Sequence, residues 1–509
     1  MSSRLAARGL ITVSVMAATL MQTLDATIAN VALPHMQGAL GATPDQVSWV
    51  LTSYTIAAAI AMTPTGWLAD RIGLKRLFLV SVAGFAIASA LCGIATTLPE
   101  MVAFRLMQGL FGAALVPLSQ TVLLDTYPPE EHGSAMALWG MGVTLGPILG
   151  PTLGGWLTEI YNWRWVFFIN VPIAILTFIG LSTSLAPDDK TKKDRFDIMG
   201  FALLSVALLA LQLLLDRGET KGWFGSNEIV VEAGIFAFTF YLFIVHQLTT
   251  AKPFLPLHLF VDRNFAAGLA MIGIVGIVLF ATSALLPPFL QNLLDYPVLT
   301  TGLVVAPRGI GTMIAMRGVG RLSRHFDPRL VMLIGMVSTT ISLYWMAGFT
   351  LDEPMIDIIF AGMLQGFGIG TTFVPLSTVT FATLAPDDRG YGTSLFSLFR
   401  NVGSSIGIAL AFAYEAHMTT VNHAYLTEHI NAFNPALSEY INASGGLDSA
   451  MGLAGLAGEV QRQAGLIALI DDFKLMAWGV LAAMPLLLLF RIDPSAPGAD
   501  GELDHVVFD

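Results

Sequence analysis

The chain has 509 residues, of which 55% are hydrophobic and 12% charged, with a formal net charge of −11. A soluble globular protein carries about 25% charged residues, and a mean hydropathy of +0.70 leaves too little polar surface to face water, so lipid is the expected solvent. The same composition excludes a nucleic-acid binder, which needs a basic stripe, and the single cysteine, Cys92, excludes an intrachain disulfide or a cysteine-rich metal site.

A helix needs about 20 apolar residues to cross the hydrocarbon layer. By that measure fourteen stretches are predicted to span: 10–34, 45–69, 77–97, 100–124, 134–158, 164–184, 196–216, 228–248, 265–291, 298–320, 328–350, 355–381, 393–415 and 471–491. Arg4 and Arg8 ahead of Leu10 imitate a secretion signal, but the run continues through Asp25 to Pro34 without a small-residue cleavage site, so an uncleaved first helix is expected. With the N-terminus inside and the sides alternating, sixteen Lys and Arg fall in inside segments. Four, Arg164, Arg217, Lys221 and Arg462, fall outside. That is the bias of the positive-inside rule, and both termini are expected in the cytoplasm of a bacterial inner membrane. Residues 416–470, with His417, His423 and His429, form a long outside segment with an amphipathic helix near Leu453–Ile470. It reads either as a solvated loop or as a docking surface for a periplasmic partner.

Charges inside the spans carry the chemistry. A carboxylate at Asp25 in the first span must be protonated, paired or facing water, which suits it to bind and release protons. The alternative is an Asp hydrogen-bonded to Thr23 or Asn30 that fixes packing. Arg105, in the fourth span, needs a partner for the same reason, and either Arg105 or Glu415 could carry coupling instead of Asp25. Gly142, Gly146, Gly150 and Gly154 recur every four residues along the fifth span, with Pro147 and Pro151 between them. Small residues at that period let two helices approach closely, and the prolines permit a bend. Gln22, Asn30, Gln120, Gln291, Gln365 and Asn401 are candidate cavity lining. There is no Walker-type phosphate loop, zinc-protease helix or Gly-x-Ser-x-Gly elbow, so no cofactor or metal is expected. An intramembrane hydrolase built on Asp25 lacks a second acid motif.

The string Gly66-Trp-Leu-Ala-Asp70-Arg71-Ile-Gly73-Leu-Lys75-Arg76 resembles the signature loop between helices two and three of the major facilitator superfamily. It departs in one place: Leu74 stands where the family has a basic residue. A fainter copy follows the tenth span, at Gly320-Arg321-Leu322-Ser323-Arg324 and Asp327-Pro328-Arg329. Arg105-Leu-Met-Gln108-Gly109 resembles the family's fourth-helix motif, and the glycine–proline run of the fifth span its exporter motif. Leu24-Asp25-Ala-Thr27-Ile-Ala-Asn30 resembles the first helix of its fourteen-span drug:proton antiporters.

The resemblance implies an all-α fold of two six-helix bundles, residues 1–187 and 259–509, with two additional helices between them in 188–258. It further implies a cytoplasmic latch at Gly66, Asp70, Arg71, Gly73, Lys75 and Arg76, and proton coupling near Asp25 and Arg105. The function implied is proton-driven efflux of amphipathic compounds, working with a membrane-fusion adaptor and an outer-membrane channel. Export of one narrow endogenous substrate (a siderophore, lipid or metabolite) and a non-transporting sensor or scaffold are the competing readings.

Overall fold

The computed structural model describes residues 2–187, 195–322, 326–430 and 450–491, and every regular element among them is helical. Fourteen helical segments follow one another in the expected order. The N-terminal bundle consists of α1 (Ser2–Leu40), α2 (Trp49–Met62 and Thr65–Ile72), α3 (Leu74–Ile94), α4 (Leu98–Gly112 and Leu115–Thr126), α5 (His132–Ile160) and α6 (Trp165–Phe168 and Asn170–Ser184). The added pair is α7 (Ile198–Lys221) and α8 (Asn227–Thr249). The C-terminal bundle is α9 (Arg263–Pro288), α10 (Val298–Val305 and Pro307–Leu322), α11 (Pro328–Met346), α12 (Met355–Ala382), α13 (Arg389–Glu428) and α14 (Ala450–Ala483).

Eleven of these helices are long and apolar enough to cross a membrane, and α5, bent by 41° between Pro147 and Leu149, makes a twelfth. Pro147 and Pro151 each remove a backbone donor and crowd the preceding turn, which is the usual origin of such a bend. The other two fall short for visible reasons. In α2 the first half ends at Met62, ahead of Pro64. In α10 the chain breaks at Ala306, and Arg308 and Arg317 lower its apolarity.

Close packing of α1 on α5 builds the core of the first bundle. A Cβ at Gly154 would sit 2.9 Å from the Ile28 carbonyl oxygen, and Cβ atoms at Gly146 and Gly150 would collide with Thr23 and Thr27. Gly142 is different: its added Cβ would meet Met16 O at 3.6 Å and Thr19 Cγ2 at 3.9 Å, ordinary contacts. The glycine carbonyls then accept from α1, Gly142 O from Thr23 Oγ1 (3.5 Å) and Gly146 O from Thr27 Oγ1 (3.3 Å). The second bundle repeats the arrangement, with Gly403 and Gly407 of α13 set against the backbone of Gly273 and Ile277 on α9.

The added pair is not a detached appendage. α7 packs against α2 of one bundle and α13 of the other, while α8 packs mainly on α7. Val231, Phe238, Tyr241 and Leu248 of α8 remain exposed, as expected of a lipid-facing helix.

One expectation is corrected. The segment 416–470 is not mainly loop: α13 runs on through Glu428, and α14 begins at Ala450 as one helix with the last span. At 1.5 Å per residue, the 40 residues of α13 reach about 60 Å, twice the hydrocarbon thickness of about 30 Å. Hydropathy marks where lipid ends, whereas helix propensity does not change there, so a polar continuation of a span is easily read as a loop. His417 and His423 lie on this continuation. Residues 431–449, Lys190, Lys192, Lys193 and Arg324 fall outside the described residues.

Candidate transport cavity and buried ion pair

Asp25 lies about two-thirds of the way along α1 and points into the first bundle. Its Oδ2 accepts from Arg105 Nη1 at 2.8 Å, and neither side chain has any exposed surface. Its Oδ1 accepts from Gln108 Nε2 (2.9 Å) and from Asn170 Nδ2 (2.8 Å). The carboxylate therefore joins α1, α4 and α6. Arg105 is held in turn by Val50 O, which accepts from Nε at 2.9 Å, and by Gln108 Oε1 at 2.8 Å. Its guanidinium carbon lies 4.1 Å from the centroid of the Tyr54 ring, a distance at which the ring face attracts a cation. Gln22 donates to the Tyr54 hydroxyl at 3.2 Å. These bonds satisfy both carboxylate oxygens and two of the three guanidinium nitrogens, Arg105 Nη2 having no partner among the described residues, and removing one member of the pair would strand the other.

Thr23 and Asn30, the partners considered from sequence, do not hold Asp25. Gln108 and Asn170 do. Gln108 stands in the string that resembles the fourth-helix motif, whereas Asn170 is one polar residue within the sixth span.

Tyr54 and Gln22 also form part of the wall of a central cavity of about 1840 Å³, with the fully buried Arg105 directly behind them. Pockets for one drug-sized ligand occupy about 300–1,000 Å³, so this cavity accommodates molecules of several shapes. Both bundles line it, and α7 adds Gln212, Asp216 and Glu219. The carboxylates from α7 were not anticipated, because the cavity was expected between the two six-helix bundles and none of its candidate residues came from the added pair. Lining residues with exposed surface include Asn30, His35, Ser48, Pro297 and Thr420, all at the end of the molecule away from the termini. The cavity opens there.

At the other end the bundles meet. Arg389 Nη1 of α13 pairs with Asp125 Oδ1 of α4 at 2.7 Å, and the hydroxyls of Thr121 and Thr393 lie 2.8 Å apart. Trp139 of α5, fully buried, stacks on Phe373 of α12 with centroids 5.7 Å apart. Gly66 lets α2 lie directly under the start of α13, since a Cβ there would meet Tyr391 N at 2.8 Å.

Of the proposed cavity residues, Gln22, Asn30, Gln291 and Asn401 line it, while Gln120 and Gln365 are buried elsewhere. Glu415 lines the cavity near its mouth, and no hydrogen bond or ion pair among the described residues joins it to Asp25. Pro147 and Pro151 reach the wall. In the loop after α2, Gly73 adopts φ +95° between two helices, a conformation that a side chain resists. Lys75 Nζ donates to Ser182 O (2.8 Å) and Leu185 O (2.6 Å) at the end of α6, favourable charge at a helix C-terminus. Thus Gly66 touches the opposite bundle, and these two Lys75 bonds stay within its own.

A helical membrane protein whose two bundles enclose a central cavity, open at one end and sealed at the other, is a transporter. The chain belongs to the major facilitator superfamily: the model for the Major Facilitator Superfamily matches residues 15–408. It is 36% identical to the multidrug export protein EmrB of Escherichia coli strain K12, over 97% of this chain and 98% of that one. EmrB of Haemophilus influenzae is 35% identical over 93% of this chain and 94% of its own. Among solved structures, a bacterial homologue of the human lysosomal transporter Spinster, inward-facing and unoccupied, matches with a TM-score of 0.55. The match covers 96% of this chain and 99% of that one at 18% identity, which bears on the fold alone. The chain is therefore a multi-pass membrane transporter of small molecules and not an enzyme.

Proposed function

We propose that the chain is a multidrug efflux transporter that exchanges amphipathic compounds for protons across a bacterial inner membrane, with both termini in the cytoplasm. In that orientation the cavity faces outward and the sealed end is cytoplasmic. The observation that carries the reading is the fully buried Asp25–Arg105 pair, joined to α4 and α6 and standing directly behind a cavity wall of Tyr54 and Gln22. A proton entering from outside neutralises Asp25. Arg105 then loses its counter-charge and the tie between α1, α4 and α6 weakens, so protonation favours a different packing of the bundle. The mostly apolar wall binds substrates by burial rather than by fixed geometry, in keeping with the similarity to multidrug export proteins.

The test is proton release from acid-loaded vesicles containing the reconstituted chain, on addition of candidate compounds. Substrate-dependent release by the native chain, and its loss in Asp25→Asn with substrate binding retained, is the expected result. Equal release by both forms would sink the assignment of Asp25.

The continuation of α13 and α14 beyond the span is proposed as the dock for a membrane-fusion adaptor leading to an outer-membrane channel. Val421 and Tyr425 are exposed on it. Asp at both positions is expected to spare transport in vesicles and abolish export from intact cells; loss in both assays would make the extension part of the transporter's own fold.

A further inference from the structure

The buried cations of the second bundle differ from Arg105. Arg400 on α13 is only 5% exposed and lines the cavity, yet its Nε and Nη1 have no hydrogen-bond partner among the described residues. Its guanidinium carbon lies 5.9 Å from the Trp139 ring centroid, just above the aromatic seal. Arg308 on α10, 4% exposed, also lines the cavity. It is fixed by donation to Ser283 Oγ (2.9 Å) and Leu279 O (3.3 Å), neutral groups that leave its charge uncompensated. Among the described residues neither arginine forms an ion pair. Two desolvated cations without counter-ions are costly in such a place, unless something that enters the cavity supplies the missing charge.

The carboxylates of the cavity stand elsewhere. Asp216 accepts from Gln212 Nε2 at 2.8 Å. Glu159 and Glu219 come from the ends of α5 and α7 at the mouth, and Glu415 from α13 below its continuation. Glu415 lies fifteen residues beyond Arg400 on the same helix, about 22 Å at the usual rise. Charge is thus graded along the cavity, positive at the floor and negative at the mouth.

We propose that Arg400, with Arg308, is the counter-ion for an acidic group on the substrate, so that the transporter selects amphipathic organic acids over amphipathic cations. This rests on the efflux reading above and names the substrate class of that cavity. An acid seated on the floor is neutralised by a guanidinium fork suited to carboxylate geometry. Once it leaves toward the mouth, the glutamates there oppose its return.

The experiment uses three ligands with one alkyl tail and different heads: dodecanoate, dodecanol and dodecyltrimethylammonium. Binding to the reconstituted full-length chain is measured for the native form, Arg400→Gln, Arg400→Lys and Arg308→Gln, with proton release followed in the same vesicles. Arg400→Gln is expected to weaken dodecanoate by about tenfold or more, the scale of a lost charge-assisted hydrogen bond, while dodecanol binding stays as in the native chain and certifies the fold. Arg400→Lys restores part of the acid affinity, and Arg308→Gln lowers it to a lesser degree. Native protein that binds the ammonium as tightly as the acid, or an Arg400→Gln form that loses acid and alcohol equally, overturns the inference and leaves efflux standing. A native chain that neither binds nor releases protons with any of the three overturns both.

Discussion

Arg105 Nη1 and Asp25 Oδ2 lie 2.8 Å apart with no surface exposed on either side chain, so each is the condition for burying the other. Breaking a buried pair by removing one partner costs about 3–5 kcal/mol, because the remaining charge is left uncompensated. Arg105→Gln is therefore expected to lower the melting temperature of the detergent-purified protein more than Asp25→Asn/Arg105→Gln, which removes both charges. The double variant should recover stability while transport stays lost. If the single and double variants melt alike, the pair is not coupled energetically.

The α1–α5 contact makes a graded prediction along one helix. Gly154→Ala places a methyl group 2.9 Å from Ile28 O, whereas Gly142→Ala meets nothing closer than 3.6 Å. Overpacking of this kind costs about 1–3 kcal/mol. Gly154→Ala should reduce both melting temperature and transport, and Gly142→Ala should leave both near native. Equal tolerance at the two positions would show that α1 and α5 separate without cost. The four glycines look equivalent in sequence; only the geometry distinguishes them.

That difference illustrates what the sequence made legible. Charge in a span is conspicuous because lipid makes it costly, so Asp25 and Arg105 could both be read as needing partners. Which partners could not be read: Asp25 and Arg105 are 80 residues apart, and hydropathy gives no direction to a side chain. In a membrane the lipid face and the bundle interior are both apolar, so helix periodicity separates them poorly. For the same reason Gln120 and Asn401 looked alike, although only Asn401 reaches the cavity. The role of α7 was hidden differently, since Asp216 closes the expected span 196–216 and Glu219 lies beyond it, where a carboxylate is unremarkable. Composition and span length do fix the all-helical fold, because a chain in lipid must satisfy its backbone internally.

Asp197, just ahead of α7, carries a pH prediction. Burial acts to raise its carboxyl pKa, but it accepts from Gly200 N (2.9 Å), His246 Nε2 (2.9 Å) and Phe254 N (3.1 Å), and together these hold it below the ordinary value. A depressed folded-state pKa contributes stability that is present above the unfolded value, about 3.9 for Asp. That contribution is lost as pH falls through the folded value. Asp197→Asn is expected to destabilise the α7–α8 pair at neutral pH, with the difference from native shrinking once the pH drops below about 4. Melting of both forms from neutral to acid pH checks it; a difference that grows on acidification contradicts the assignment.

The sealed end yields the most direct test of the conformational cycle. Thr121 of α4 and Thr393 of α13 have hydroxyls 2.8 Å apart across the bundle boundary, beside the Asp125–Arg389 pair. If the bundles must separate here during transport, a covalent tie should stop it. The only native cysteine, Cys92, is buried and can be replaced by Ser, after which Thr121→Cys with Thr393→Cys gives a pair positioned to oxidise. Cross-linking is expected to abolish substrate-dependent flux, and reduction to restore it. Asp125→Asn should act in the opposite sense. A partly exposed ion pair contributes about 0.2–1 kcal/mol, so its loss should raise the population open at this end up to about fivefold, read as slower cross-linking of the same cysteines. Full flux through a cross-linked protein would mean that the two bundles do not part at this boundary, and that substrate crosses without the sealed end opening between Thr121 and Thr393.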